Sequence, residues 1–214
     1  FCGSGTDKHN GDKKMTKPTT LLEIVGADPS PGRFADCALL LIDCQNEYRS
    51  GKLPLAGISA ALDQVARLLD RGRAAGTPIF HVVHRGSPGG LFDLHGEGGR
   101  VIDAARPRDG EATVEKTLPN AFAGTDLAAM IEATGRRGLI ICGFQTHMCV
   151  SSTVRAALDL GYRSTVVAAA AATRDLPAVG GGVPITARHI HEASLAALAD
   201  RFAVVVASAD NIAD

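Results

Sequence analysis

A three-layer, doubly wound α/β sandwich on a mainly parallel six-stranded sheet is the fold class this sequence predicts, and three observations carry it. Short apolar runs that stop abruptly, the mark of strands buried on both faces, recur along the chain. Stripes of apolar residues at helical spacing stand between most of those runs. No repeat and no interdomain linker interrupts the 214 residues, a length that supports one well-buried core. Strand and helix alternating at this pitch form a parallel sheet joined by right-handed crossovers of the Rossmann-like kind.

Residues 1–36 read as an N-terminal arm with a Pro-broken lead-in, and 37–214 as the folded domain. The first 17 residues are polar, rich in Gly, Lys and Asp, and contain no apolar signal-type core, so the fold argument starts beyond them. The run Cys37-Ala-Leu-Leu-Leu-Ile, ending at Asp43, is the first strand. Over 58–75, Leu62, Val65, Ala66 and Leu69 recur at helical spacing, and Gly76 with Pro78 stops the helix. Further strands are expected at 79–83, 112–115, 138–142, 165–170 and 203–206. Helical stripes separate them: Leu127, Met130 and Ile131; Val150, Val154 and Leu158; Ile190, Ala193, Ala197 and Leu198. Two irregular Gly- and Pro-rich tracts, 85–110 and 175–186, are candidate pocket walls or subunit contacts, because long loops inside a compact domain are usually functional.

Composition excludes several classes. A formal charge of −1 removes the electrostatic footprint that phosphate neutralisation requires, and the pair Arg136-Arg137 is too short for a basic stripe, so no nucleic acid is expected. The longest apolar run, 166–172, is far below the roughly 18 to 20 residues that cross a bilayer, so no membrane partner is expected. Cys2, Cys37, Cys44, Cys142 and Cys149 form an odd set without a C-x-x-C pair, which points to free thiols in a reducing, cytoplasmic compartment.

Open α/β sheets bind ligands beyond the carboxyl ends of their strands. Asp43 ends the first strand, Lys116 follows the third, and Cys149 opens the helix after the fourth. A thiolate at a helix start is stabilised by the dipole and free amides, a nearby ammonium adds to that, and an aspartate within reach carries the proton. Taken singly, each has a plain structural reading: a strand-end Asp caps a turn, a Lys is solvated, a Cys packs as a small apolar group. Their coincidence at one sheet edge is what points to chemistry.

Three motifs extend that reading: Leu-Leu-Ile-Asp-Cys-Gln-Asn around Asp43, Val-Glu-Lys-Thr-Leu-Pro-Asn-Ala-Phe around Lys116, and Gly-Phe-Gln-Thr-His-Met-Cys-Val around Cys149. In this order, and across 38–206, the chain resembles the isochorismatase-like cysteine hydrolases, a family that includes nicotinamidases and N-carbamoylsarcosine amidohydrolase. The resemblance implies a catalytic Asp43, Lys116 and Cys149. In that scheme Cys149 attacks the substrate carbonyl, Asp43 shuttles protons, and Lys116 stabilises the thiolate. It also implies a non-proline cis peptide at Phe144–Gln145 and an oxyanion hole made by the backbone amides of Gln145 and Cys149, with Gly143 giving the chain room to turn. Gln45, Tyr48, Phe92, Phe122 and Phe144, which lie beside the motifs, are expected to wall the substrate pocket.

The departures matter equally. Isochorismatase proper lacks the cysteine, so Cys149 argues against that activity. Nicotinamidases hold a metal through histidines shortly after the first motif, and 45–57 contains none, so neither metal nor cofactor is expected. His81 and His84 read as core or sheet-edge residues without an acidic partner, and His95 as part of a loop. Ala169 stands where relatives carry an Asp. The function expected is metal-independent cleavage of a non-peptide C–N bond, amide or carbamoyl, in a small molecule through a thioester. The competing reading is a non-catalytic binding or thiol redox-sensing protein on the same scaffold. A dinucleotide site is weaker still, since the first strand leads into Asp-Cys-Gln-Asn rather than G-x-G-x-x-G. A homo-oligomer, dimer or larger, is expected because the tracts 87–99 and 176–184 hold few side chains able to cover themselves, and because relatives commonly associate.

Overall fold

In the computed structural model, which describes residues 17–214, the strands run β1 Cys37–Ile42, β2 Ile79–His84, β3 Ala112–Lys116, β4 Gly138–Phe144, β5 Arg163–Ala172 and β6 Ala203–Val206. They form one sheet in the order β3-β2-β1-β4-β5-β6, with every neighbouring pair parallel. The helices are α1 Leu21–Ile24, α2 Ile58–Ala74, α3 Leu127–Ala133, α4 Ser151–Asp159 and α5 Ala187–Arg201. Residues 1–16 of the expected arm, Cys2 among them, lie outside the described residues. No helix among the described residues is long and apolar enough to cross a membrane.

Period-two alternation along β1 explains the two layers. Leu39 and Leu41 face the cluster that contains Leu62, Val65, Leu68 and Leu69 of α2. Ala38, Leu40 and Ile42 face the opposite cluster with Ile131 of α3, Val154 and Ala157 of α4, and Leu195 and Leu198 of α5. Every residue of β1 is buried, as a central strand covered on both sides requires, and each such leucine contributes about 1.5 to 3 kcal/mol of burial. The α2 helix starts after Gly57 and ends with Arg71 and Arg73 in its last turn, where cations favour the carbonyl end.

β4 and β5 run past their expected ends. β5 reaches Ala172 because five consecutive small alanines let it follow β4 through a register irregularity between Ile141 and Gly143. Gly143 sits there at φ +112°, and a Cβ on it would collide with the Ile42 carbonyl oxygen, so the position demands glycine.

His81 corrects an expectation. Its Nε2 lies 2.7 Å from Glu111 Oε2, so it does have an acidic partner, supplied by the segment before the neighbouring strand and therefore invisible as a local spacing. Arg73 reaches the same carboxylate at 2.6 Å. Against the upward push of partial burial, Arg73, the Arg108 amide and His81 hold Glu111 down at about 2. This network ties α2 to the β2–β3 edge and leaves His81 no part in the site.

The tract 85–110 is folded back on the carboxyl edge of the sheet. Gln45 bridges Val101 in antiparallel fashion, and the Ile102 amide donates to the Cys44 carbonyl at 2.9 Å. The second tract is a small hairpin in which Leu176 and Ile185 exchange both backbone hydrogen bonds.

Candidate active site

The turn after β1 brings Asp43 inward at φ +50°, a left-handed conformation that Asp tolerates better than most side chains. Its amide is fixed to the Val82 carbonyl at 2.8 Å. Lys116 ends β3, two strands away. Cys149 belongs to a five-residue π turn, Thr146–Val150, that precedes α4, where a regular first helical turn was expected. The Val150 amide reaches back five residues to the Gln145 carbonyl at 3.3 Å, and such π turns often accompany functional sites.

Three of the expected site residues meet. Lys116 Nζ donates to Asp43 Oδ2 at 2.8 Å and to Cys149 Sγ at 3.4 Å. The site is nearly sealed, with Asp43 0%, Lys116 1% and Cys149 4% exposed. Asp43 Oδ1 has no hydrogen-bond partner among the described residues. Removing one member of so buried a pair typically costs about 3 to 5 kcal/mol, because the other charge is left uncompensated.

Burial raises the Asp43 carboxyl above its ordinary value, with the Lys116 ammonium opposing. The Cys149 thiol is pushed up to about 12, first by burial and then by the Asp43 charge, with Lys116 offsetting only part. Burial first and the Asp43 charge second therefore oppose the thiolate that the Lys116 ammonium favours.

The peptide bond Phe144–Gln145 is cis. Of the expected pocket walls, Tyr48 and Phe92 pack edge to face at 5.0 Å, and Tyr48 meets Phe144 in the same manner at 6.0 Å. Gln45 has a different part. Its Nε2 donates to the His84 and Gly99 carbonyls at 2.9 and 2.8 Å and its Oε1 accepts from the His84 amide at 2.8 Å, so no polar atom remains for a ligand. Phe122 stacks on Tyr162 at 5.7 Å and packs against the cluster that contains Cys149, Val150 and Val154.

Sequence reasoning missed His84. It ends β2 opposite Lys116 in the β2–β3 register, and its Nδ1 lies 3.3 Å from Lys116 Nζ. The signal was available, since the last residues of adjacent parallel strands share an edge. His147 Nδ1 also pairs with Thr173 Oγ1 at 2.6 Å, and His191 Nδ1 with Thr146 Oγ1 at 2.8 Å, two contacts that tie the π turn to β5 and α5.

Comparison with known proteins gives a match to the isochorismatase domain model over residues 37–210. The secreted isochorismatase effector Isc1 of Verticillium dahliae is 35% identical over 188 residues, spanning 87% of this chain and 96% of its own. The maleamate amidohydrolase of Pseudomonas putida is 31% identical over 147 residues, 61% of this chain and 69% of its own. A crystal structure of an isochorismatase from Pseudomonas putida KT2440 superposes with a TM-score of 0.87 at 44% identity, covering 92% of this chain and all of that one.

Proposed function

The chain belongs to the isochorismatase family, and from that premise we propose that it is a hydrolase of a small-molecule C–N bond, amide or carbamoyl, working through Cys149. The observation that carries the reading is the single ammonium of Lys116 bound at once to Asp43 and Cys149. In this scheme Asp43 takes the thiol proton as Sγ attacks the carbonyl carbon. The oxygen that becomes negative is met by the backbone amides of Gln145 and Cys149, donors of a kind whose removal typically costs about 10²- to 10³-fold in rate. The tetrahedral adduct collapses with cleavage of the C–N bond, and Asp43 returns its proton to the departing nitrogen. Water, deprotonated by Asp43, then hydrolyses the thioester and frees the sulfur.

The Asp43 carboxylate and Lys116 ammonium gathered beside Cys149 favour this reading over redox sensing, because hydrolysis needs a proton carrier at the sulfur and oxidation of a thiol does not. The deciding experiment follows ammonia or amine release from a panel of small amides and carbamoyl compounds. Release lost in Cys149→Ala supports the assignment, and a panel with no turnover counts against it. The four described cysteines, Cys37, Cys44, Cys142 and Cys149, are all free, which suits a reducing cytoplasmic setting.

The hydrolysis is proposed to need no metal. Among the described residues no group of three His, Cys, Asp or Glu side chains converges as ligands, and Lys116 already occupies the Asp43 and Cys149 atoms it binds. Dialysis against EDTA is therefore expected to leave turnover unchanged; loss on chelation with recovery on adding zinc would reverse this point.

Association of the chain is also proposed. Val179 and Val183 on the second tract and Met148 on the π turn are exposed apolar side chains that a second copy would cover. Light scattering at micromolar concentration is expected to give at least about twice the 22.1 kDa of one chain, and a single species at the chain mass overturns it.

A further inference from the structure

We infer that His84 is a positioning residue: its Nδ1 accepts the third N–H of the Lys116 ammonium and so holds Nζ where it reaches both Asp43 and Cys149. The inference deepens the hydrolase reading, and only its kinetic arm rests on that reading.

An ammonium has three donors and no acceptor. For Lys116 the three directions are filled by Asp43 Oδ2 at 2.8 Å, Cys149 Sγ at 3.4 Å and His84 Nδ1 at 3.3 Å. A donor-only partner requires a lone pair on Nδ1, so the imidazole is neutral with its proton on Nε2. Two contacts fix the residue in place. Gln45 grips both the amide and the carbonyl of His84, and the Phe92 ring meets the imidazole edge to face at 5.3 Å. Phe92 itself stands at φ +57°, an unusual conformation for an aromatic residue and one that surrounding structure must enforce. A fully buried glutamine spent wholly on backbone near the site is explained by this purpose: it sets the strand end from which His84 reaches the lysine.

The charges around His84 agree. Lys116 is on β3, with Asp43 and Cys149 behind it. Arg85 and Glu115, the next charged residues on β2 and β3, pair with each other at 3.3 Å, and Glu47 caps the Phe92 amide at 3.4 Å. Burial and then the Lys116 charge hold the imidazole below its ordinary range, which keeps Nδ1 free to accept near neutral pH. Protonation would place an N–H against the ammonium and push Nζ away from its partners.

The test uses two replacements of His84 and a spectroscopic measurement on the wild type and on Lys116→Met. His84→Asn keeps an acceptor near the Nδ1 position, whereas His84→Leu has nearly the same shape without it. On an amide turned over by the wild type, the Leu variant is expected to lose about 10- to 100-fold in kcat with little change in KM, as a small displacement of a reacting group does. The Asn variant is expected to restore most of that loss and to lack the acid-side inflection due to His84. Histidine ring ¹⁵N shifts of the wild-type protein are expected to show the Nε2–H form, titrating below about 6.5, with the titration moved up in Lys116→Met. A protonated Nδ1 at neutral pH, a titration indifferent to Lys116→Met, or equal kcat in the Leu and Asn variants overturns the assignment. Failure of the hydrolase reading shows differently, as no amide turned over by the wild type while the nitrogen shifts behave as described.

Discussion

Cys149→Ser is expected to fold and to lose turnover by roughly 10⁴-fold or more, the scale on which loss of a nucleophile is felt. The hydroxyl is smaller than the thiol and can take the same Lys116 hydrogen bond, so the packing of this nearly sealed position survives. What changes is acidity. The thiol is already held up at about 12 by burial and by Asp43, and the chemistry works only because the carboxylate can accept the proton as sulfur attacks. An alcohol starts several units higher, and a base matched to the thiol does not deprotonate it. The measurement is turnover beside a thermal melt: wild-type rates in the serine variant would sink the nucleophile assignment, and an unchanged melt with lost rate supports it.

The sheet was legible because most of its strands are runs of apolar residues, whereas the edge strand β3, Ala112–Lys116, alternates polar and apolar residues and carried the weaker signal. The meeting of Asp43, Lys116 and Cys149 was legible for a related reason. All three sit at carboxyl strand ends, and a parallel sheet brings such ends together. The pocket residues were less so. Gln45 and Phe122 lie beside motifs in sequence, yet one is spent on the His84 backbone and the other on Tyr162, outcomes fixed by tertiary partners far along the chain. The balance at the thiol has the same origin. A helix start and a lysine argue for a thiolate, but burial and the facing carboxylate outweigh them, and neither has a local signature. His84 read as a core or sheet-edge residue without an acidic partner, and its register with Lys116 was the informative fact.

Asp43→Asn is expected to lower kcat by about 10²- to 10⁴-fold, the range that a positioned proton carrier supplies, while the amide oxygen still accepts from Lys116 and preserves the local shape. The sign of the pH effect separates this from simple damage. Burial raises the wild-type carboxyl against the opposing Lys116 charge, and the reaction needs the ionised form, so wild-type turnover rises with pH through a value above the usual aspartate range. The Asp43 part of that limb disappears from the asparagine variant, and the His84 inflection remains. The thiol moves the opposite way: the Asp43 charge that helped hold its proton is gone while Lys116 remains, so Cys149 ionises at lower pH and its alkylation by iodoacetamide starts earlier on the pH scale. A more acidic thiol joined to a slower enzyme is the signature of a lost proton carrier, since a more available thiolate cannot protonate the departing nitrogen. Ordinary turnover in the asparagine variant would place the base elsewhere, and an alkylation profile shifted to higher pH would mean that Asp43 stabilises the thiolate rather than competing with it.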